Sequence, residues 1–190
     1  MLINILIRTS YRPAGFARCL ASVQNQSYKN IRILVSYDNW NALKYIPEGI
    51  EKIKVLRGSG TYFYDSYCNE LKSKVNEGYF LFIDDDDYLA NPEIISMLIP
   101  HLSQDSGLLV QLKRGSMIRP ESGLIESGKI GMPCLILHHS HKDLANIPPT
   151  GQGDYHWILQ VSNLIELRFL PLIVVHSDRR GNGKQERPVR

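Results

Sequence analysis

Apolar residues recur along this chain in short blocks whose period changes from two to about 3.6, and that change marks the elements. Leu2 to Ile7 is rich in branched residues and predicts a strand, broken by Thr9 to Pro13. Pro13 suits a first helical turn, and Phe16, Leu20 and Val23 then fall at helical spacing, predicting a helix over 14–26. Ile31 to Ser36 is a second strand with Asp38 and Asn39 as turn formers at its end, and Ile53 to Leu56 is a short third strand. Tyr64, Tyr67, Cys68, Leu71 and Val75 predict a second helix, with Gly78 as its C-terminal cap. Tyr79 to Ile83 is continuously apolar, as a strand buried on both faces should be, and Asn91-Pro92 opens a third helix reaching about Leu102.

The second half is less regular. Strands are predicted at 108–112, around Met117-Ile118, at 134–137 and at 170–175, with a helix over 154–164. The alternation in the first hundred residues argues for a parallel sheet wrapped by helices. Ligands of such sheets bind beyond the carboxyl ends of the strands. Three polar clusters fall there: Thr9-Ser10-Tyr11-Arg12, Asp38-Asn39 and Asp84 to Asp87.

Length and composition narrow the picture. The 190 residues fit one domain, or one domain with a small appendage, and 43% hydrophobic with 22% charged is ordinary for a globular protein. The formal charge of +3 is too small to suggest nucleic acid, and it is local: from His176 onward five basic residues face two acidic ones, so the tail accounts for the whole excess. Residues 176–190 are therefore expected to form a basic, flexible tail. Cys19, Cys68 and Cys134 form no CxxC pair, which suggests free thiols in a reducing compartment. The N-terminus lacks the pattern of a signal peptide, and no apolar run approaches the roughly 20 residues of a membrane-spanning helix. The expectation is a cytoplasmic protein, with a peripheral visit to a membrane left open.

Four consecutive aspartates after a buried strand are electrostatically awkward, because such close carboxylates ionise together cheaply only around a cation. A hard divalent ion, Mg²⁺ or Mn²⁺, suits them and usually keeps substrate phosphates as co-ligands. The bland alternative is a solvated acidic turn in which Asp87 or Asn91 caps the next helix. The EF-hand pattern does not fit, since Tyr88 and Leu89 stand where that loop needs an oxygen ligand and a glycine.

The segment FIDDDDYLANPEII resembles the DXD region of family 2 glycosyltransferases with the GT-A fold, and TSYRPAGFARCLASVQNQSYKNIRILVSYDN resembles the opening of that family in order and approximate spacing. The resemblance implies an α/β GT-A fold with a mostly parallel central sheet flanked by helices. On this reading 1–175 is the glycosyltransferase domain, with 1–102 its nucleotide-sugar half and 103–175 its acceptor half. It implies that Thr9, Tyr11 and Arg12 contact the nucleotide, that Asp38 accepts from the uracil imide, and that Asp84 or Asp85 serves the ribose side. Asp86 matches the metal ligand. GQGDYHWILQV is similar to the family's second acidic motif, so Asp154 matches the catalytic base, although Gln152 and Gly153 stand where many relatives carry Glu. A nearby pyrophosphate would raise the pKa of Asp154 and suit it to that role. His176 matches a histidine that completes the metal shell in many GT-A enzymes, and Arg179, Arg180 and Lys184 are placed to neutralise the pyrophosphate.

The resulting expectation is a Mn²⁺- or Mg²⁺-dependent hexosyl-type transfer from a nucleotide-sugar, a UDP-sugar by preference, to a hydroxyl of a glycan or lipid-linked acceptor. The family implies inversion by single displacement. Two rivals remain: a nucleotidyltransferase, which usually shows a glycine-rich basic loop after the first strand, and a non-catalytic nucleotide-sugar-binding module. Without the family motifs, Asp38 reads as an Asx-turn and Asp154 as a helix cap. His138, His139 and His141 with Cys134 match no common zinc spacing, and Gly58 and Gly60 lack the third glycine of a dinucleotide loop because Phe63 occupies it.

Overall fold

A computed structural model describes residues 1–56 and 64–178, leaving aside the side chains of 64–66. Nine strands of these residues form one sheet: β1 (Ile3–Thr9), β2 (Ile31–Tyr37), β3 (Glu51–Lys54), β4 (Tyr79–Asp84), β5 (Asp87–Leu89), β6 (Gly107–Arg114), β7 (Met117–Arg119), β8 (Leu135–His138) and β9 (Leu167–Ser177). The order is β3-β2-β1-β4-β8-β6-β9-β5, with β7 on β6. Four helices accompany it: α1 (Pro13–Gln24), α2 (Tyr64–Ser73), α3 (Ile94–Leu98) and α4 (Gly153–Ser162).

The parallel alternation read from the first hundred residues holds there. β1 pairs in parallel with β2 and β4, and β2 with β3. Each crossover carries a helix or turn, as parallel pairing requires. Ile5, Leu6, Ile7, Phe80, Leu81 and Ile83 are almost wholly buried, which explains their unbroken apolar pattern. Beyond β4 the sheet becomes mixed: β8 pairs antiparallel with both β4 and β6, and β9 runs parallel to β6 but antiparallel to β5. One sheet thus runs through both halves of the chain.

Several boundaries move, each for a local reason. Gly78 (φ +72°) does not cap α2, which ends at Ser73; a Cβ there would lie 2.3 Å from the Leu2 carbonyl oxygen, so it is needed where the chain passes β1. The third helix is only Ile94–Leu98, followed by a tighter turn containing Pro100. Asp87 belongs to a short strand, β5, that the aspartate run concealed. β9 starts earlier than its apolar run, at Leu167, and its register against β6 shifts around Pro171, which has no N–H to give a ladder.

Cys19, Cys68 and Cys134 are buried free thiols. No helix among the described residues is long and apolar enough to cross a membrane. The basic residues Arg179, Arg180 and Lys184, and the glycines at 58 and 60, lie outside the described residues.

Candidate functional site

β1 and β4 end side by side, pairing Arg8 with Asp84, so the segment after each strand opens into the same space. The loop after β1 turns back through Tyr11, the one non-glycine with positive φ (63°) among the described residues. A tyrosine pays for that conformation unless its surroundings hold it. The Tyr45 hydroxyl does so: it accepts the backbone N–H of Tyr11 (3.0 Å) and of Arg12 (3.3 Å) and lies 2.9 Å from Thr9 Oγ1. Thr9 in turn donates to Asp85 Oδ2 at 2.7 Å. The sequence carried no sign of Tyr45, because a tyrosine in a 3₁₀ turn after Asn39 looks like any half-buried aromatic.

Arg12 closes this cluster. Its Nη1 lies 3.1 Å from Asp85 Oδ1 and 2.9 Å from Asp86 Oδ2. Asp38 lies beside it, accepting from Ser10 Oγ at 3.0 Å and Asn39 Nδ2 at 3.1 Å. Thr9, Tyr11, Arg12, Asp38 and Asp85 are therefore gathered on one side, with the hydroxyls and charges satisfying one another.

The aspartate run divides by direction. Asp85 and Asp86 form the turn between β4 and β5, while Asp84 and Asp87 end and begin strands. Asp84, Asp86 and Asp87 line a cleft of about 620 Å³; Asp85 faces the loop after β1 instead. Burial raises the carboxyl pKa of Asp85, to about 6 despite the Arg12 guanidinium. Asp86 is raised as well, by burial and then by the charge of Asp84. Asp87 is pushed well up by burial and by Asp84 and Asp86. It is thus a carboxyl of the cleft wall rather than a surface cap.

Asp154, at the start of α4, lines the same cleft. Gly153 admits no Cβ, which would lie 2.6 Å from the Pro148 carbonyl oxygen, so the 147–149 segment presses directly on the start of α4. Three residues on, and so on the same helical face, Trp157 is buried edge-on against Phe82 of β4 (5.7 Å, 84°). These contacts fix the helix and turn Asp154 into the cleft. Gln152 is the N-cap, with no side-chain cap bond, so Asp154 is not the capping residue. Burial raises its pKa, the hydrogen bond from the Tyr155 N–H opposes that, and Asp84 adds to it.

His176 is not brought into the cleft. It lies opposite Tyr88 in the β5–β9 ladder and stacks on that ring at 5.4 Å and 15°. The residue of β9 that reaches the aspartates is the next one: Ser177 hydrogen-bonds Asp87 and accepts from Arg114 Nε at 3.2 Å. His138 and His139 hydrogen-bond each other (3.1 Å) at the other end of β4, beside Tyr79.

A strand-end carboxylate cluster, a loop that could cradle a nucleotide and a carboxylate on α4 form the arrangement on which the family comparison bears. The family model described as glycosyl transferase family 2 matches residues 5–125. The chain belongs to glycosyl transferase family 2. Solved structures of similar fold include S. aureus TarS, at TM-score 0.76 and 13% identity, covering 94% of this chain and 37% of that one. TarS 1-349 in complex with UDP-GlcNAc matches at TM-score 0.68 and 14% identity over 96% of this chain and 60% of that one. The mannosyltransferase PcManGT from Pyrobaculum calidifontis, in complex with GDP-Man and Mn²⁺, matches at TM-score 0.69 and 10% identity over 96% and 57%. The chain shares the GT-A α/β fold of these neighbours and spans from about a third to three fifths of their lengths. No curated protein matches by sequence.

The Asp84–Asp87 segment fits a divalent ion in one respect. Asp86 Oδ2 is buried and accepts no hydrogen bond, although Arg12 lies 2.9 Å away. Such an oxygen is costly to leave charged and is well suited to a hard cation. Among the described residues no group of three or more His, Cys, Asp or Glu is arranged around a common point. An ion held at Asp86 would therefore need further ligands from substrate and water.

Proposed function

We propose that this family 2 chain transfers a sugar from a nucleoside diphosphate-sugar, a UDP-sugar, to an acceptor hydroxyl with inversion. The observation that carries the reading is that two carboxylate sets line one cleft: Asp84, Asp86 and Asp87 on the strand end and Asp154 on α4. Thr9, Tyr11, Arg12 and Asp38 hold the nucleoside, with Asp38 accepting from the base imide N–H. Asp85 preorganises that loop from beneath.

Asp86 is the residue that would hold Mn²⁺ or Mg²⁺, and the ion would supply positive charge to the departing diphosphate. Asp154, its pKa raised by burial, takes the acceptor's hydroxyl proton. The acceptor oxygen forms a bond to the anomeric carbon from the face opposite the diphosphate, the carbon–oxygen bond to the diphosphate breaks, and the diphosphate keeps the electron pair. Arg114, held by Ser177 close to Asp84 and Asp87, balances charge at that end. Loops 128–133 and 147–153 form the acceptor wall. GDP-sugars are the second donor class to try, since PcManGT is in complex with GDP-Man.

The test is release of free UDP or GDP from a panel of nucleotide-sugars, with Mn²⁺ and with chelator. Metal-dependent release from one donor is the expected result. Tight metal-dependent UDP binding without turnover of any donor would instead make the chain a binding module. Pyrophosphate release from a nucleoside triphosphate and a sugar phosphate would make it a nucleotidyltransferase.

A further inference from the structure

Two polar side chains of α2 are bonded to a segment some 75 residues further along the chain. Asn69 meets both backbone groups of Ile147: its Nδ2 donates to the carbonyl oxygen at 2.9 Å, and its Oδ1 accepts the N–H at 3.0 Å. Three residues on, and so on the same helical face, Lys72 is 2% exposed. Its ammonium donates to the Ala145 carbonyl oxygen at 2.5 Å and to Asn146 Oδ1 at 3.4 Å. Ala145 to Ile147 lie outside every helix and strand, so α2 supplies the partners that a ladder would otherwise give them. Burying an ammonium against neutral oxygens costs free energy that an apolar side chain would not. What it secures is the course of the backbone at Ala145.

The clamped segment leads directly to Asp154. Ile147, Pro148 and Pro149 line the cleft. The Pro148 carbonyl accepts the Thr150 N–H at 2.8 Å, the Thr150 carbonyl accepts the Gly153 N–H at 3.1 Å, and Gly153 is the first residue of α4. A Cβ at Gly153 would lie 2.6 Å from the Pro148 carbonyl oxygen and 3.4 Å from Ile147 Cγ2, so the two stretches touch without slack. Trp157 pins the body of α4, but no side chain caps its start. The first turn, which carries Asp154, therefore takes its place from 147–150. That stretch takes its own place from α2, which packs on β1 and β2. A continuous series of contacts thus ties the carboxylate to the nucleotide half of the sheet.

We propose that Asn69 and Lys72 are positioning residues, which hold 145–147 and through it set where Asp154 meets the acceptor, without touching the donor. The proposal rests on the reading of Asp154 as the base. The experiment uses the full chain as wild type, Asn69→Ala and Lys72→Met, each also combined with Asp154→Asn. Calorimetric titration with UDP in Mn²⁺ reads binding, and release of UDP or GDP from UDP-glucose, UDP-GlcNAc and GDP-mannose reads turnover across pH. UDP should bind both α2 variants within about twofold of wild type, while turnover should slow about tenfold or more, as a misplaced reacting group does. The low-pH limb of the rate profile should move down by about half a unit, because loosening 147–149 admits water to a carboxylate whose pKa burial raises. A general weakening of the fold would not move that limb. Added to Asp154→Asn, neither α2 substitution should slow turnover further. Normal turnover in both α2 variants would overturn the proposal, as would an unmoved limb, a full additional loss in the Asp154→Asn background, or failure of both to fold. If Asp154→Asn alone keeps wild-type turnover, or wild type turns over no donor, the reading of the base falls and the proposal with it.

Discussion

The two walls of the cleft are built differently. The strand-end side is crowded and, Asp86 Oδ2 apart, largely satisfied from within: Thr9, Arg12, Tyr45 and Asp85 bond to one another, and Arg8 bonds to Asp84. The other wall is one carboxylate, Asp154, on a helix pinned by Gly153 and Trp157 and flanked by irregular loops. The first wall is preorganised, as the binding of a charged nucleotide demands. The second presents a single half-buried carboxylate. The proposed function puts binding on the first and proton transfer on the second, and substitutions on each should separate them.

The largest effect is expected at Asp154. Asp154→Asn should keep donor affinity within about threefold and lower turnover about a thousandfold, the range usual for a lost general base. Donor titration alongside single-turnover transfer measures both, and near-normal turnover would remove Asp154 from the chemistry. Tyr45→Phe tests the other wall. It strands two backbone N–H groups and should cost about 1–3 kcal/mol of stability. Nucleotide affinity should fall about tenfold with kcat within about twofold; a loss of kcat at unchanged affinity would break the division between the walls.

Asp85 gives the strand-end wall a pH signature. Its folded carboxyl keeps its proton up to about pH 6, whereas the unfolded chain releases it near 4. Its contribution to stability is therefore present below pH 4 and is lost as pH rises through 6, by an amount of order 2 kcal/mol. Metal-free thermal melts should show this decline, and Asp85→Asn should flatten it. The smallest effect belongs to His176: on Tyr88 and outside the cleft lining, His176→Ala should change Mn²⁺ affinity less than about threefold in a titration with UDP. A tenfold loss would place the imidazole in the metal shell after all.

The first wall was largely readable from the chain. Parallel strands buried on both faces write unbroken apolar runs, and the polar residues that follow each run fall at one end of the sheet, which is how Thr9, Asp38 and the aspartates met. Direction was not readable. Four identical residues carry no mark of which carboxylate faces Arg8 and which faces Thr9; the strand pairing of Arg8 with Asp84 decides it. Tyr45 was hidden because its role lies in one hydroxyl oxygen that accepts backbone N–H groups, and hydropathy is blind to that. In the second half the antiparallel ladders are short and β9 is bulged at Pro171, so periodicity blurs. Asp154 was found through the resemblance, and its aim came from Gly153 and Trp157 only once the fold was known. On β9 the sequence drew attention to His176, which stacks on Tyr88, and gave no sign of Ser177, the side chain that hydrogen-bonds Asp87.

In the proposed function, Asp86 anchors a metal-bound nucleoside diphosphate at the strand end. Calorimetric titration of UDP into wild type and Asp86→Ala, each with Mn²⁺ and with chelator, tests it directly. Mn²⁺ should tighten UDP binding to wild type at least tenfold and have no effect on Asp86→Ala. Equal metal enhancement in the two proteins would contradict it.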